Sequence, residues 1–101
     1  MTDIGTQLAR ALGLAAAAAG CPVEISRSEW QRWASATFTG ARHQLLLSAA
    51  EAPTFDTWLG NLDEAEFSIA GHLVADLRVC RVNRCEGRVE AALEALTVET
   101  A

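Results

Sequence analysis

The spacing of apolar positions changes several times along the chain, and each change marks an element. Ile4, Leu8, Leu12 and Ala15 recur at helical spacing, with Thr2 or Asp3 placed to cap the start and Gly20 and then Pro22 to end it. Alanine fills the second half of this segment, so the helix must lie close against a sheet or another helix to bury useful area. From Pro22 the period shortens to two. Val23 and Ile25 alternate with Glu24 and Ser26, which predicts a short strand ending at the polar run Ser26 to Gln31. Trp33 to Phe38 and Arg42 to Ala49 read as two further extended segments. Thr39-Gly40-Ala41 lies between them, its glycine supplying the turn of a hairpin.

Pro53 opens a second helical pattern, in which Phe55, Trp58, Leu59 and Leu62 share a face for two to three turns. The acids Asp63, Glu64 and Glu66 follow in what reads as a solvated loop. From Phe67 to Val82 the alternation is the strongest in the chain. Leu73, Ala75, Leu77 and Val79 fall on one side and His72, Val74, Asp76, Arg78 and Cys80 on the other, so a long strand is expected. Cys85-Glu86-Gly87 reads as a three-residue loop. The segment after it, Arg88 to Glu99, suits a strand or a helix by periodicity alone.

Pairing decides between them. Setting Arg84 against Arg88 places Arg78 opposite Glu94, Val79 opposite Leu93, Val82 opposite Glu90 and Val74 opposite Val98. One opposite-charge pair and two aliphatic pairs land on matching faces, each worth a few tenths to about 1 kcal/mol, which favours the strand. The predicted fold is α+β: two helices packed on one face of a mainly antiparallel sheet, in the order α-β-β-β-α-β-β, as one domain over residues 1–101.

Composition narrows the chemistry. A chain of 101 residues that is 50% hydrophobic can bury a single core without a metal or a disulfide. All eight bases are arginine, and lysine and tyrosine are absent. That excludes a Schiff-base lysine, a phosphate-binding loop ending in GK[ST] and a tyrosine general acid. The preference for arginine, with abundant alanine, reads as a bacterial-like coding bias. Thirteen acids against eight bases, a net charge of −5, argue against a nucleic-acid or membrane-surface partner, since both need clustered positive charge. No stretch approaches the ~18 continuous apolar residues of a spanning helix. Leu8 to Gly20 followed by Cys21 has the outline of a lipoprotein export signal, but Asp3 precedes any base and Arg10 interrupts the run. Cys21, Cys80 and Cys85, an odd number at no metal spacing, fit reduced thiols in a cytoplasmic protein.

No constellation carries a reaction. His72, Asp76 and Cys80 are the residue types of a nucleophile, base and orienter, but residues four apart on a strand are separated by about 13 Å. Cys80 and Cys85, with His72 or His43, are too far apart along an extended segment for zinc. No metal and no cofactor is expected. Arg78, Arg81, Arg84 and Arg88 gather half of the bases in one hairpin, but Glu86, Glu90 and Glu94 thread it and no aromatic residue is interleaved to stack a base. The candidates for a ligand pocket or an interface are Trp30, Trp33, Arg42, His43 and His72. Trp30 and Trp33 must point to opposite faces of a strand, and tryptophan and arginine are enriched at binding hot spots.

Two helices cover only one face of a sheet. The other face is then expected to carry Val74, Cys80, Val82, Leu96 and Val98, too apolar for water, which predicts a homodimer. The expected function is a non-catalytic, cytoplasmic, homodimeric binding or interaction domain. One alternative is a small-molecule enzyme or ligand-binding protein with a pocket near Trp33 and His43, a histidine serving as base. Another is an acidic chaperone of a secretion substrate; small size, acidity and mixed element order are similar to that broad class, but no motif carries the similarity and a C-terminal helix is lacking.

Overall fold

A computed structural model describes residues 3–100, so the alternative cap Thr2 lies outside the described residues. Helix α1 spans Ile4–Ala18, and its cap is Asp3, whose carboxylate accepts from the Thr6 amide at 2.8 Å. The buried positions are Ile4, Gly5, Leu8, Leu12 and Ala16. Ala16 rather than Ala15 continues the stripe, because a strict spacing of four keeps the alanine-rich half against the sheet. Gly20, with φ of 85°, ends the helix in the left-handed conformation, and the Cys21 amide bonds back to the Ala16 carbonyl at 2.9 Å.

The polar run Ser26–Gln31 does not interrupt the sheet. Strand β1, Glu24–Ala34, is continuous across it, with a register shift between Ile25 and Arg27. It is an edge strand, so it can carry polar residues on both sides without burying them. The hairpin turn lies at Ser35–Phe38 instead of Thr39–Ala41, and strand β2 spans Thr39–Ala50. Ser35 closes that turn: its amide bonds the Phe38 carbonyl at 2.7 Å, and its hydroxyl accepts from the Phe38 amide at 3.0 Å. Gly40 is a strand residue for a steric reason. A Cβ there would run into the Thr97 carbonyl oxygen and lie 3.0 Å from Cε2 of Trp33.

Helix α2, Pro53–Gly60, starts on proline and buries Phe55 and Leu59; a single 3-10 turn, Leu62–Glu64, adds Leu62. Asp63, Glu64 and Glu66 are exposed. Strand β3 covers His72–Cys85, starting later than the alternation from Phe67 suggests. Gly71, at φ 79°, turns the chain between the bridged residues Ile69 and His72. Strand β4 covers Arg88–Glu99.

All pairings are antiparallel and the strand order is β1-β2-β4-β3. The hairpin β3–β4 is joined by two residues, Glu86 and Gly87, both at positive φ (52° and 77°), not by a three-residue loop. Cys85 therefore pairs with Arg88 and Val82 with Ala91. A bulge between Val79 and Arg81 then inserts one residue. That insertion restores the expected central pairs, Val79 with Leu93 and Arg78 with Glu94. A second bulge, between Val74 and Asp76, sets Val74 against Thr97 and Leu73 against Val98.

The two helices lie on one face of this sheet. Against them are buried Ala41, His43, Leu45, Leu47 and Ala49 of β2 and Val89, Ala91, Leu93, Ala95 and Thr97 of β4. Nothing among the described residues covers the opposite, outer face, whose central positions Arg42, Gln44 and Glu90 are exposed.

Candidate functional site

The registers divide the five candidate residues among three environments. Trp30 pairs with His43 and so lies on the helix-covered face, with its indole against Gly5 in the first turn of α1. Trp33 pairs with Gly40 on the outer face, its ring lying over that glycine. Arg42 is also on the outer face, paired with Leu96. Trp30 and His72 border one open groove at the end of the sheet, under the start of α1, where Arg32 and Glu99 form an ion pair at 3.4 Å. Trp33 and His43 are on opposite sides of the sheet and share no pocket wall.

His43 is a core residue, 1% exposed. Its Nε2 lies 2.9 Å from Oγ1 of Thr97, and that hydroxyl donates to the Ala41 carbonyl at 3.4 Å. With the Thr97 proton committed to Ala41, the His43 Nε2–H is the donor of the pair and Nδ1 is left unprotonated, with no hydrogen-bond partner. Burial first, and then the nearby His72, push the His43 pKa below its ordinary value. It is therefore held neutral, but no substrate could reach it. His72 is half-buried, and its Nδ1 donates to the Ala70 carbonyl at 3.2 Å.

The expected dimer face is redistributed by the bulges. Cys80, Leu96 and Val98 belong to the outer face, but Val74 packs partly buried against the core and Val82 pairs with Ala91 on the helix-covered side. Simple alternation fails here because each bulge adds a residue and swaps the facing of everything beyond it. Leu73 takes the place of Val74 outside and is 57% exposed.

Five rows of side chains cross the outer face from β1 to β3, the last of them the wholly polar Glu24, Ser48, Glu90 and Asn83. The first is Trp33, Gly40, Val98 and Leu73. The second is Gln31, Arg42, Leu96 and Asp76, and the third Glu29, Gln44, Glu94 and Arg78. The fourth is Arg27, Leu46, Ala92 and Arg81. Gln31, Glu29, Gln44, Leu46, Asp76 and Leu73 carry no signal in the linear sequence that would set them together, because each row joins two hairpins through β2–β4 pairings whose partners lie far apart in the chain.

The electrostatics of this face are mixed. Arg78 donates to Glu94 at 2.8 Å, and that bond first, with one from the Cys80 thiol next, holds the Glu94 carboxyl below the usual carboxylate range. Burial and Glu94 in turn push the Cys80 thiol up, so it is no activated nucleophile. Arg42 and Arg81 have no ion pair among the described residues. A shallow, open depression of about 280 Å³ lies between Arg42, Gln44, Asp76, Arg78 and Glu94.

The arginines of the β3–β4 hairpin form no common basic patch. Arg84, paired with Val89 on the helix-covered side, bridges Glu51 at 3.1 Å and Asp56 of α2 at 2.8 Å, whereas Arg88 on the outer face reaches Glu24 at 3.5 Å and Ser48 at 3.1 Å. Among the described residues no group of three or more His, Cys, Asp or Glu could hold a metal ion, and no helix is long and apolar enough to cross a membrane. Cys21, Cys80 and Cys85 are free thiols, the last two exposed. No protein-family profile, no curated protein and no solved structure matches this chain.

Proposed function

We propose that the chain is a non-catalytic homodimeric binding domain whose outer sheet face is its interface. The observation that carries this reading is the apolar row Trp33, Gly40, Val98 and Leu73 on a face that no element among the described residues covers. Phe38, 55% exposed in the adjoining turn, extends the apolar end of that face. Four strands about 4.8 Å apart, each offering four outward positions about 6.8 Å apart, present a projected area of about 520 Å², the range of a small, weakly associating interface. Exposed free thiols at Cys80 and Cys85 suit a reducing compartment such as the cytoplasm.

The catalytic alternative has less support. His43 is buried in the core, and His72, whose Nδ1–H bond to a backbone carbonyl leaves Nε2 as a free acceptor, stands in a groove whose lining among the described residues holds no serine, threonine or cysteine. Neither has a nucleophile and an oxyanion donor within reach. Sedimentation velocity at micromolar concentration tests the proposal: a species of twice the chain mass is expected, and a monomer across the concentration range overturns it.

A further inference from the structure

Resting on the homodimer reading, we infer that the two copies stack outer face to outer face about a two-fold axis that runs along the strands between β2 and β4, so that Trp33 lies over the partner's Leu73 and Glu29 over the partner's Arg78. An axis in that position returns each row of the outer face onto itself in reverse order. Strand β1 then faces β3 of the partner, and β2 faces β4. Of the first four rows, three are self-complementary under this operation.

In the first row, Trp33 meets the partner's Leu73, and Val98 meets the face of the partner's Trp33 ring where it lies over Gly40. The indole and the exposed leucine bury each other. In the second row Gln31 faces the partner's Asp76, and Arg42 crosses the partner's Leu96 toward the same aspartate. Arg42 has no ion pair within its own chain among the described residues, and Asp76 makes no close one, only a longer-range attraction to Arg78, so the two can neutralise each other across the contact. In the third row Glu29 faces the partner's Arg78, and the amide of Gln44 can donate to the partner's Glu94.

The fourth row sets Leu46 on the partner's Ala92, with Arg27 and the partner's Arg81 at the outer corner, where both side chains can turn into solvent. The other two-fold that keeps the faces together lies in the sheet plane across the strands, and it reverses the rows end to end. It would set Leu96 against the partner's Glu94 and Leu73 against the partner's Arg81, burying charge on aliphatic carbon at the centre of the contact. The alignment along the strands sets Arg42 over the partner's Leu96 instead, with the partner's Asp76 beside it to take up its charge.

Stacked sheets stand about 10 Å apart, beyond the reach of a disulfide but within that of a short bis-maleimide. The test mixes chains that each carry one introduced cysteine in a Cys80→Ser, Cys85→Ser background, which keeps only the buried Cys21. A mixture of Gln31→Cys and Asp76→Cys chains, and separately of Trp33→Cys and Leu73→Cys chains, is treated with the reagent and run on a denaturing gel. A cross-linked dimer from each mixture, absent when either chain is treated alone, is the expected result. The first pair replaces exposed side chains only, so failure of the Trp33 variant to fold leaves the test intact. A sample that sediments as a dimer yet cross-links Trp33→Cys with Arg27→Cys, or gives no product from Gln31→Cys with Asp76→Cys, overturns this arrangement and leaves the homodimer standing. A sample that sediments as a monomer overturns both.

Discussion

His43 on β2 and Thr97 on β4 meet through a 2.9 Å hydrogen bond inside the core, and this buried polar contact couples folding to pH. The folded state disfavours the protonated imidazole, chiefly through burial, whereas the unfolded chain takes up the proton near pH 6.5. Stability is therefore full above that value and declines as pH falls below it, with a slope of at most about 1.4 kcal/mol per pH unit from this one group. The decline stops below the folded-state value. In urea unfolding at fixed protein concentration, His43→Gln is expected to flatten the pH profile between about pH 6.5 and 5. A variant with the wild-type profile there would show that His43 is not the linked group.

Gly40 and Gly13 predict opposite outcomes for the same substitution. A Cβ at Gly40 meets the Thr97 carbonyl and the Trp33 ring, so Gly40→Ala is expected to destabilise by about 1–3 kcal/mol as β2 and β4 are forced apart. Gly13, inside α1, has open space around it, and Gly13→Ala should stabilise by about 0.5–1 kcal/mol through helix propensity. Denaturation midpoints of the two variants, measured side by side, check both signs.

Arg84 joins the tip of the β3–β4 hairpin to Glu51 and Asp56, and all three side chains remain nearly half exposed. Solvent screening keeps such a bridge weak, so Arg84→Ala should cost no more than about 1 kcal/mol. The cost should shrink in high salt. A loss of several kcal/mol that salt leaves unchanged would mean that the bridge carries more of the fold than its exposure indicates.

Leu96 lies at the centre of the outer face and outside the core, between Arg42 and Asp76. Leu96→Arg is expected to weaken self-association by 2 kcal/mol or more, about 30-fold in dissociation constant, because it sets a further cation between the Arg42 side chains of the two copies. Circular dichroism of the variant should match the parent. A dimer of undiminished affinity would move the interface away from this face.

The fold class was legible because period and punctuation are local. The spacing of Ile4, Leu8 and Leu12, the proline that opens α2 and the alternation around Leu77 each record which side of an element faces apolar surroundings. The expected pairs Arg78–Glu94 and Val79–Leu93 are present, but through two compensating departures: a turn shorter by one residue and a bulge longer by one. The turn at Gly40 misled for a related reason. Glycine serves turns and close backbone approach alike, and only the proximity of Thr97 distinguishes them.

The candidate site was less legible. Trp30 and Trp33 lie on opposite faces as their odd separation requires, yet the sequence holds no sign of which face the helices cover. His43 shows why that matters. On the covered face it is a sealed core residue, and one position away Arg42 is an exposed cation on the outer surface.

By itself the sequence determined the element types, the antiparallel α+β class, the absence of lysine and tyrosine chemistry, and a surplus of apolar residues beyond one core. Only the tertiary structure decided where that surplus sits, because side-chain facing depends on the count of residues through two bulges and on strand neighbours far apart in the chain. A bulge adds one residue and inverts all facings beyond it, at a cost too small and too dependent on the partner strand to leave a local mark. Leu73 and Trp33, 40 residues apart in sequence, therefore end in one row across the outer face, while Val74 and Val82 turn toward the helices.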